Sequence, residues 1–161
     1  MSRLPTTNDA ITTGKVSKRW KHLWTLVPTL IFERYNDNHL WPDLIDKTLT
    51  QCHQLKLKRF EVYTSMIFDL NHKSNVGFVN RYAVRRNVEK LNLRLWNLEC
   101  EVEFPLDQYF FMSSCFAELT LEGCILNPIE AISWRNFKSL SIYKGKLDEN
   151  LIENILCQMI L

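Results

Sequence analysis

Cys52 and His53 stand side by side, and these are residue types that can ligate zinc or share a proton in thiol catalysis. A structural zinc site needs a second ligand pair at close spacing, and none is present. His22, His39 and His72 fall in separate segments. The cysteines sit at 52, 100, 115, 124 and 157, an odd number with no CxxC pair, so neither a disulfide framework nor a redox motif is expected. A reducing compartment suits them better. Cys124 closes Leu119-Thr-Leu-Glu-Gly-Cys124, where a free cysteine serves as a small apolar residue. There is no glycine-rich phosphate loop, nucleophile elbow or HExxH. Glu99, Glu101 and Glu103 alternate as a charged face and are not paired for acid–base work. The expectation is a protein that is not an enzyme and carries no cofactor or metal.

Lys15, Lys18, Arg19 and Lys21 surround Trp20, an arrangement that could bind phosphates while the indole stacks on a base. The plainer alternative is the solvated face of an amphipathic helix, and Arg81, Arg85 and Arg86 form a similar cluster. A net charge of +2 over 161 residues is too small to call for a polyanionic partner. A nucleic-acid-binding module is therefore the weakest of the functional readings. With 46% hydrophobic residues the chain can build a packed core. The start, Met1 to Asp9, lacks the apolar stretch of a signal peptide, and no run approaches a membrane span. The expected location is intracellular, in cytoplasm, nucleus or both.

The elements follow from periodicity. Val16, Trp20, Leu23, Trp24 and Val27 share one helical stripe, with Pro28 just past its end. A second helical stretch begins at Pro42 and runs through Leu44, Ile45, Thr48, Leu49 and Cys52. From residue 57 the pattern becomes strand-like. Phe60-Glu-Val62, Leu91-Asn-Leu93, Leu119-Thr-Leu121 and Leu140-Ser-Ile142 each place two apolar residues around a polar one, at intervals of 31, 28 and 21 residues. Val76–Arg86 and Asp148–Leu156 have helical spacing between or after them. Such a rhythm is that of a leucine-rich-repeat solenoid, an α/β fold with a short curved parallel sheet and helical or irregular outer segments. An ordinary α/β sandwich with parallel strands stays open as an alternative.

In a solenoid each apolar pair enters the core and the residue between faces the concave surface. Glu61, Asn92, Thr120 and Ser141 then form a row, flanked by Arg59, Tyr63, Lys90, Arg94, Glu118, Glu122, Ser139 and Tyr143. Tyrosine and arginine are frequent interface anchors, which singles out Tyr63, Arg94 and Tyr143. The alternative for any one of these residues is an ordinary solvated sheet face.

Val16-Ser-Lys-Arg-Trp-Lys-His-Leu-Trp24 resembles the second half of the F-box in plant F-box/LRR proteins, and Leu4-Pro-Thr-Thr-Asn-Asp-Ala10 resembles the stretch before it. Tyr82–Leu93, Phe116–Cys124, Phe137–Ile142 and Leu147–Leu156 are similar to the family's repeat segments, in the same order. The resemblance implies a partial helical F-box over 1–28, a linker and helix over 29–56, and a repeat region over 57–161. The family's first F-box helix is expected to be missing ahead of Met1, and the repeats to be cut short at Leu161. It further implies the substrate-recognition subunit of a Skp–cullin–F-box (SCF) ubiquitin ligase. Leu4, Pro5, Val16, Ser17, Trp20, Leu23 and Trp24 would contact a Skp-type adaptor that leads to a cullin scaffold. The concave row would meet an unknown protein substrate. Two alternatives accompany this: Trp20, Leu23 and Trp24 pack as the cap of the repeats, or the chain is a truncated repeat protein that binds a partner without engaging a ligase.

Overall fold

Alternating apolar and polar residues make strands whose two faces separate by solubility, and that separation organises this chain. The computed structural model describes residues 28–34, 50, 57–64, 73–95, 104–147, 150–153 and 155. Strands β1 (Thr29–Arg34), β2 (Arg59–Thr64), β3 (Lys90–Leu95), β5 (Glu118–Glu122) and β7 (Ser139–Tyr143) form a five-stranded sheet in that order, every neighbouring pair parallel. Strands β4 (Phe104–Pro105), β6 (Cys124–Leu126) and β8 (Lys146–Leu147) form a second, short parallel sheet. Inner strands β3, β5 and β7 are thus each followed by an outer strand, β4, β6 and β8. Helix α1 (Lys73–Arg85) connects β2 to β3, and α2 (Gln108–Phe111) lies between β4 and β5.

All four strand-like units of the sequence are strands. One inner strand was not expected, nor were the three outer ones: Thr29–Arg34 lies where the sequence suggests a linker. Its centre is Leu30-Ile31-Phe32, three apolar residues in a row, so it lacks the apolar–polar–apolar signature of the others. The expected 76–86 helix is α1, and the described residues of the expected 148–156 helix, 150–153 and 155, are helical. Most of the Pro42–Cys52 stretch lies outside the described residues, as do Asp148 and Glu149.

One face of the inner sheet supplies the core. Leu30, Phe32, Phe60, Val62, Leu91, Leu93, Leu95, Leu119 and Leu121 are buried there, each contributing about 1.5–3 kcal/mol on removal from water. Leu140 and Ile142 of β7 are only half-buried, because β7 ends the sheet among the described residues. Helix α1 presses Val79 and Ala83 into this core, and Tyr82 meets Phe60 edge-on at 5.7 Å between ring centroids. The helix stops in a Schellman motif. Asn87 takes a left-handed φ of 53°, its N–H donates to Val84 O, and the N–H of Val88 donates to Ala83 O. A second part of the core is aromatic, with Phe110, Phe111, Phe116, Trp134 and Phe137 packed between the sheets and the connection after β6.

Register is set at the strand starts by a repeating two-donor bond. The carbonyl just before each strand accepts two successive N–H groups from the next unit. Pro28 O accepts from Lys58 and Arg59, and Lys58 O from Glu89 and Lys90. Glu89 O in turn accepts from Ala117 and Glu118, and Ala117 O from Lys138 and Ser139, all at 2.7–3.2 Å. The architecture is α/β with a parallel sheet and few helices, compatible with a leucine-rich-repeat-like fold. Among the described residues no helix is long and apolar enough to cross a membrane.

Candidate functional site

Parallel pairing in register aligns equivalent residues into rows across the sheet face opposite the core. The central row is Ile31, Glu61, Asn92, Thr120 and Ser141. On one side run Thr29, Arg59, Lys90, Glu118 and Ser139, and on the other Glu33, Tyr63, Arg94, Glu122 and Tyr143. The structure therefore brings together Arg59, Glu61, Tyr63, Asn92, Arg94, Thr120, Ser141 and Tyr143 on one surface.

That surface is not uniform. Ile31 and Glu61 are buried, at 8% and 4% exposure, while Asn92, Thr120 and Ser141 are half-buried and Tyr143 is 52% exposed. Glu61 thus lies in the row expected for it but is not presented to solvent. Its carboxylate accepts hydrogen bonds from Arg59 Nε and, at 2.7 Å, from the Tyr63 hydroxyl. Neutralisation by the arginine and a second donor make its burial tolerable. The Tyr63 oxygen in turn accepts from Asn92 Nδ2 at 2.8 Å, and the Arg94 guanidinium sits over the Tyr63 ring, 5.5 Å from its centroid. Burial, and then the adjacent Glu61 carboxylate, hold the Tyr63 hydroxyl well above its usual ionisation range, against the lowering pull of Arg94 and Arg59. It therefore stays protonated and continues to donate to Glu61.

Removing that hydroxyl tests the network. Tyr63→Phe leaves one Glu61 oxygen and Asn92 Nδ2 without their partner, an expected loss of about 1–3 kcal/mol. Urea denaturation measures it, and an unchanged midpoint would mean that the hydroxyl is structurally idle.

Elsewhere on this face the charges pair locally, Lys90 with Glu118 at 2.7 Å and Lys144 with Glu122 at 3.9 Å. Cys124 is fully buried, and burial pushes its thiol up to about 12, so it behaves as the apolar residue its position suggested. Arg81 donates to Gly77 O and approaches Asp107 at 4.0 Å, and Arg86 covers the Tyr82 ring, so these cations have partners on or near their own helix. No group of three or more His, Cys, Asp or Glu that could hold a metal occurs among the described residues. Leu4, Pro5, Val16, Ser17, Trp20, Leu23 and Trp24 lie outside the described residues, as do Lys15 to Lys21, Cys52, His53 and Glu99 to Glu103.

What the geometry offers is a polar, hydrogen-bonded sheet face over an apolar core, suited to contacting another surface. Curated proteins of Arabidopsis thaliana match this chain along most of its length. One F-box/LRR-repeat protein is 37% identical over 97% of this chain and 32% of its own length. F-box/LRR-repeat protein 25 is 31% identical over 97% of this chain and 57% of its own length. An F-box protein of the same plant is 32% identical over 93% of this chain and 46% of its own length. The chain therefore spans from about a third to just over half of these relatives. No family model and no solved structure matches it. The parallel repeating strands and the similarity along nearly the whole chain agree, and identify it as a relative of the plant F-box/LRR-repeat proteins.

Proposed function

We propose that this chain is a protein-interaction module that serves as a substrate-recognition subunit of an SCF-type ubiquitin ligase. The similarity to F-box/LRR-repeat proteins over 97% of the chain carries this reading. In it, residues 1–28 act as a partial helical F-box and residues 57–161 as a leucine-rich-repeat solenoid, with 29–56 between them. Leu4, Pro5, Val16, Ser17, Trp20, Leu23 and Trp24 contact a Skp-type adaptor, and through it the cullin scaffold. The polar sheet face, from Arg59 and Tyr63 across Asn92 and Arg94 to Thr120, Ser141 and Tyr143, meets the protein substrate. Two features support that assignment: the face carries in-register polar rows, and tyrosine and arginine anchor interfaces by combining large contact area with directed donors. The role is one of binding, in cytoplasm or nucleus, with the chemistry left to the ligase.

Co-expression with a Skp-type adaptor tests it. The adaptor is expected to co-purify with this chain, and Trp20→Ala to abolish capture while the circular dichroism spectrum stays folded. Absence of capture by the folded wild-type chain would overturn the ligase reading and leave a repeat protein that binds a partner without delivering it.

A further inference from the structure

The large hydrophobic residues that stay exposed do not gather on the polar sheet face. Of the five among the described residues, only Tyr143 lies there. Tyr109 and Met112 follow the outer strand β4, Ile129 follows β6, and Ile152 follows β8. Tyr109 and Met112, three residues apart, share one side at the end of α2. Ile129 is 90% exposed, so its side chain contributes almost no burial to the fold. Its backbone is nevertheless held, because Gln108 Oε1 accepts from its N–H at 2.8 Å and from that of Glu130 at 3.4 Å. Contact at Ile129 therefore carries little further ordering cost.

Beside Ile129 a cleft of about 370 Å³ opens between residues 127–132 and the helical residues 150 and 151. Its floor is apolar, since Ile132 and Leu151 are buried, and Pro128 and Ala131 add further carbon. That volume is near the lower end of ligand clefts, and it suits one large side chain of a partner better than a whole element.

The charge around the cleft has one sign. Glu130 lines it, and Glu153 stands three residues from Asn150 on the same side of their helix. Both are exposed, neither makes an ion pair among the described residues, and no lysine or arginine lines the cleft. This acidic rim decides between occupants. A second copy related by a twofold axis would bring like carboxylates together, and an anionic membrane surface would be repelled in the same way. A basic protein segment satisfies floor and rim at once.

We propose that this outer cleft is a second docking surface, taking a partner segment that presents one large apolar side chain next to lysine or arginine. The apolar side chain fills the cleft over Ile132 and Leu151, against Ile129, and the cations face Glu130 and Glu153. The surface is separate from the polar sheet face, and the proposal stands whether or not that face recognises a ligase substrate.

A phage-displayed library of random dodecapeptides, selected on the immobilised full chain, tests this. Enriched peptides are expected to set Leu, Met or Phe beside Lys or Arg, and to bind the chain as free peptides. Binding should weaken about tenfold or more in Ile129→Ser and about threefold or more in Glu130→Lys. The second effect should fade in about 1 M salt, where the Debye length falls to about 3 Å. Both side chains are exposed, so both variants should melt with the wild type. Tyr143→Ala, on the sheet face, should leave binding within about twofold. No enrichment over an empty support, enriched peptides without basic residues, or unchanged binding in Ile129→Ser would overturn the proposal. So would a dimer in sedimentation that Ile129→Ser dissolves, which would assign the cleft to a second copy. Loss of binding in Tyr143→Ala alone would place the peptides on the sheet face and equally overturn it.

Discussion

Gly123→Ala is expected to destabilise the fold severely, and the reason is a single corner. Gly123 links β5 of the inner sheet to β6 of the outer one at φ 73°, and a Cβ built on it would lie 1.9 Å from the carbonyl oxygen of Leu95 on the neighbouring strand. That atom is backbone within the sheet region and cannot rotate away. The left-handed conformation alone costs about 1–2 kcal/mol with a side chain, and relieving the clash by shifting backbone adds about 1–3 kcal/mol. The N–H of Gly123 also donates to Tyr143 O and its carbonyl accepts from Phe104 N, so any shift disturbs bonds to two further strands. Lys144 turns the equivalent corner after β7 with φ 47° and carries a side chain there. Left-handed backbone is thus borne at this corner, and what demands glycine at 123 is the Leu95 carbonyl. Urea denaturation of Gly123→Ala beside Lys144→Gly separates the two effects. A large loss for the first and little change for the second is the expected pair of results. Near-wild-type stability of Gly123→Ala would mean that the corner can relax.

Trp134→Ala should be comparably damaging, at about 3–5 kcal/mol. The indole is 1% exposed, although it stands in the irregular connection between β6 and β7. It stacks near Phe111 at 5.9 Å, meets Phe110 edge-on at 5.8 Å and tilts against Phe137 at 4.8 Å, while Nε1 donates to Phe110 O at 3.2 Å. Removing it opens a cavity among three aromatic rings and withdraws a buried donor. Since whole domains are stable by only about 5–15 kcal/mol, the variant should melt far below the wild type or fail to fold. Trp134→Phe should restore part of the loss, because it refills volume without the Nε1 bond. If Trp134→Ala melted like the wild type, the connection would be a detachable loop and not part of the core.

Neither of these positions stood out in the sequence, and the reasons are physical. Periodicity reports elements that are long enough to repeat. The strands centred on Glu61, Asn92, Thr120 and Ser141 were legible because a polar residue separates two apolar ones. Strand β1 was not, because Ile31 puts an apolar residue on the face where the others put a polar one. The outer strands β4, β6 and β8 have two or three residues each, too few for any period to emerge. Trp134 packs from irregular chain, and tertiary contact alone places it inside. The rows of the candidate face followed directly from strand alternation. The burial of Glu61 did not, because it depends on Arg59 and Tyr63 closing over the carboxylate. The outer cleft was equally invisible, since residues 127–132 and 150–151 are brought together only by tertiary packing.

The paired N–H donors at each strand start give the inner sheet a polarity. Each internal unit, at Lys58, Glu89 and Ala117, accepts through one carbonyl from the unit after it and donates two N–H groups to the unit before. At the β1 end the residue in the first donor position is Pro28, which has no N–H to give. A strand added on that side would meet half of the docking pattern that each internal strand enjoys, because proline withholds one of the two donors. The sheet behaves as a template with a blunt end at proline.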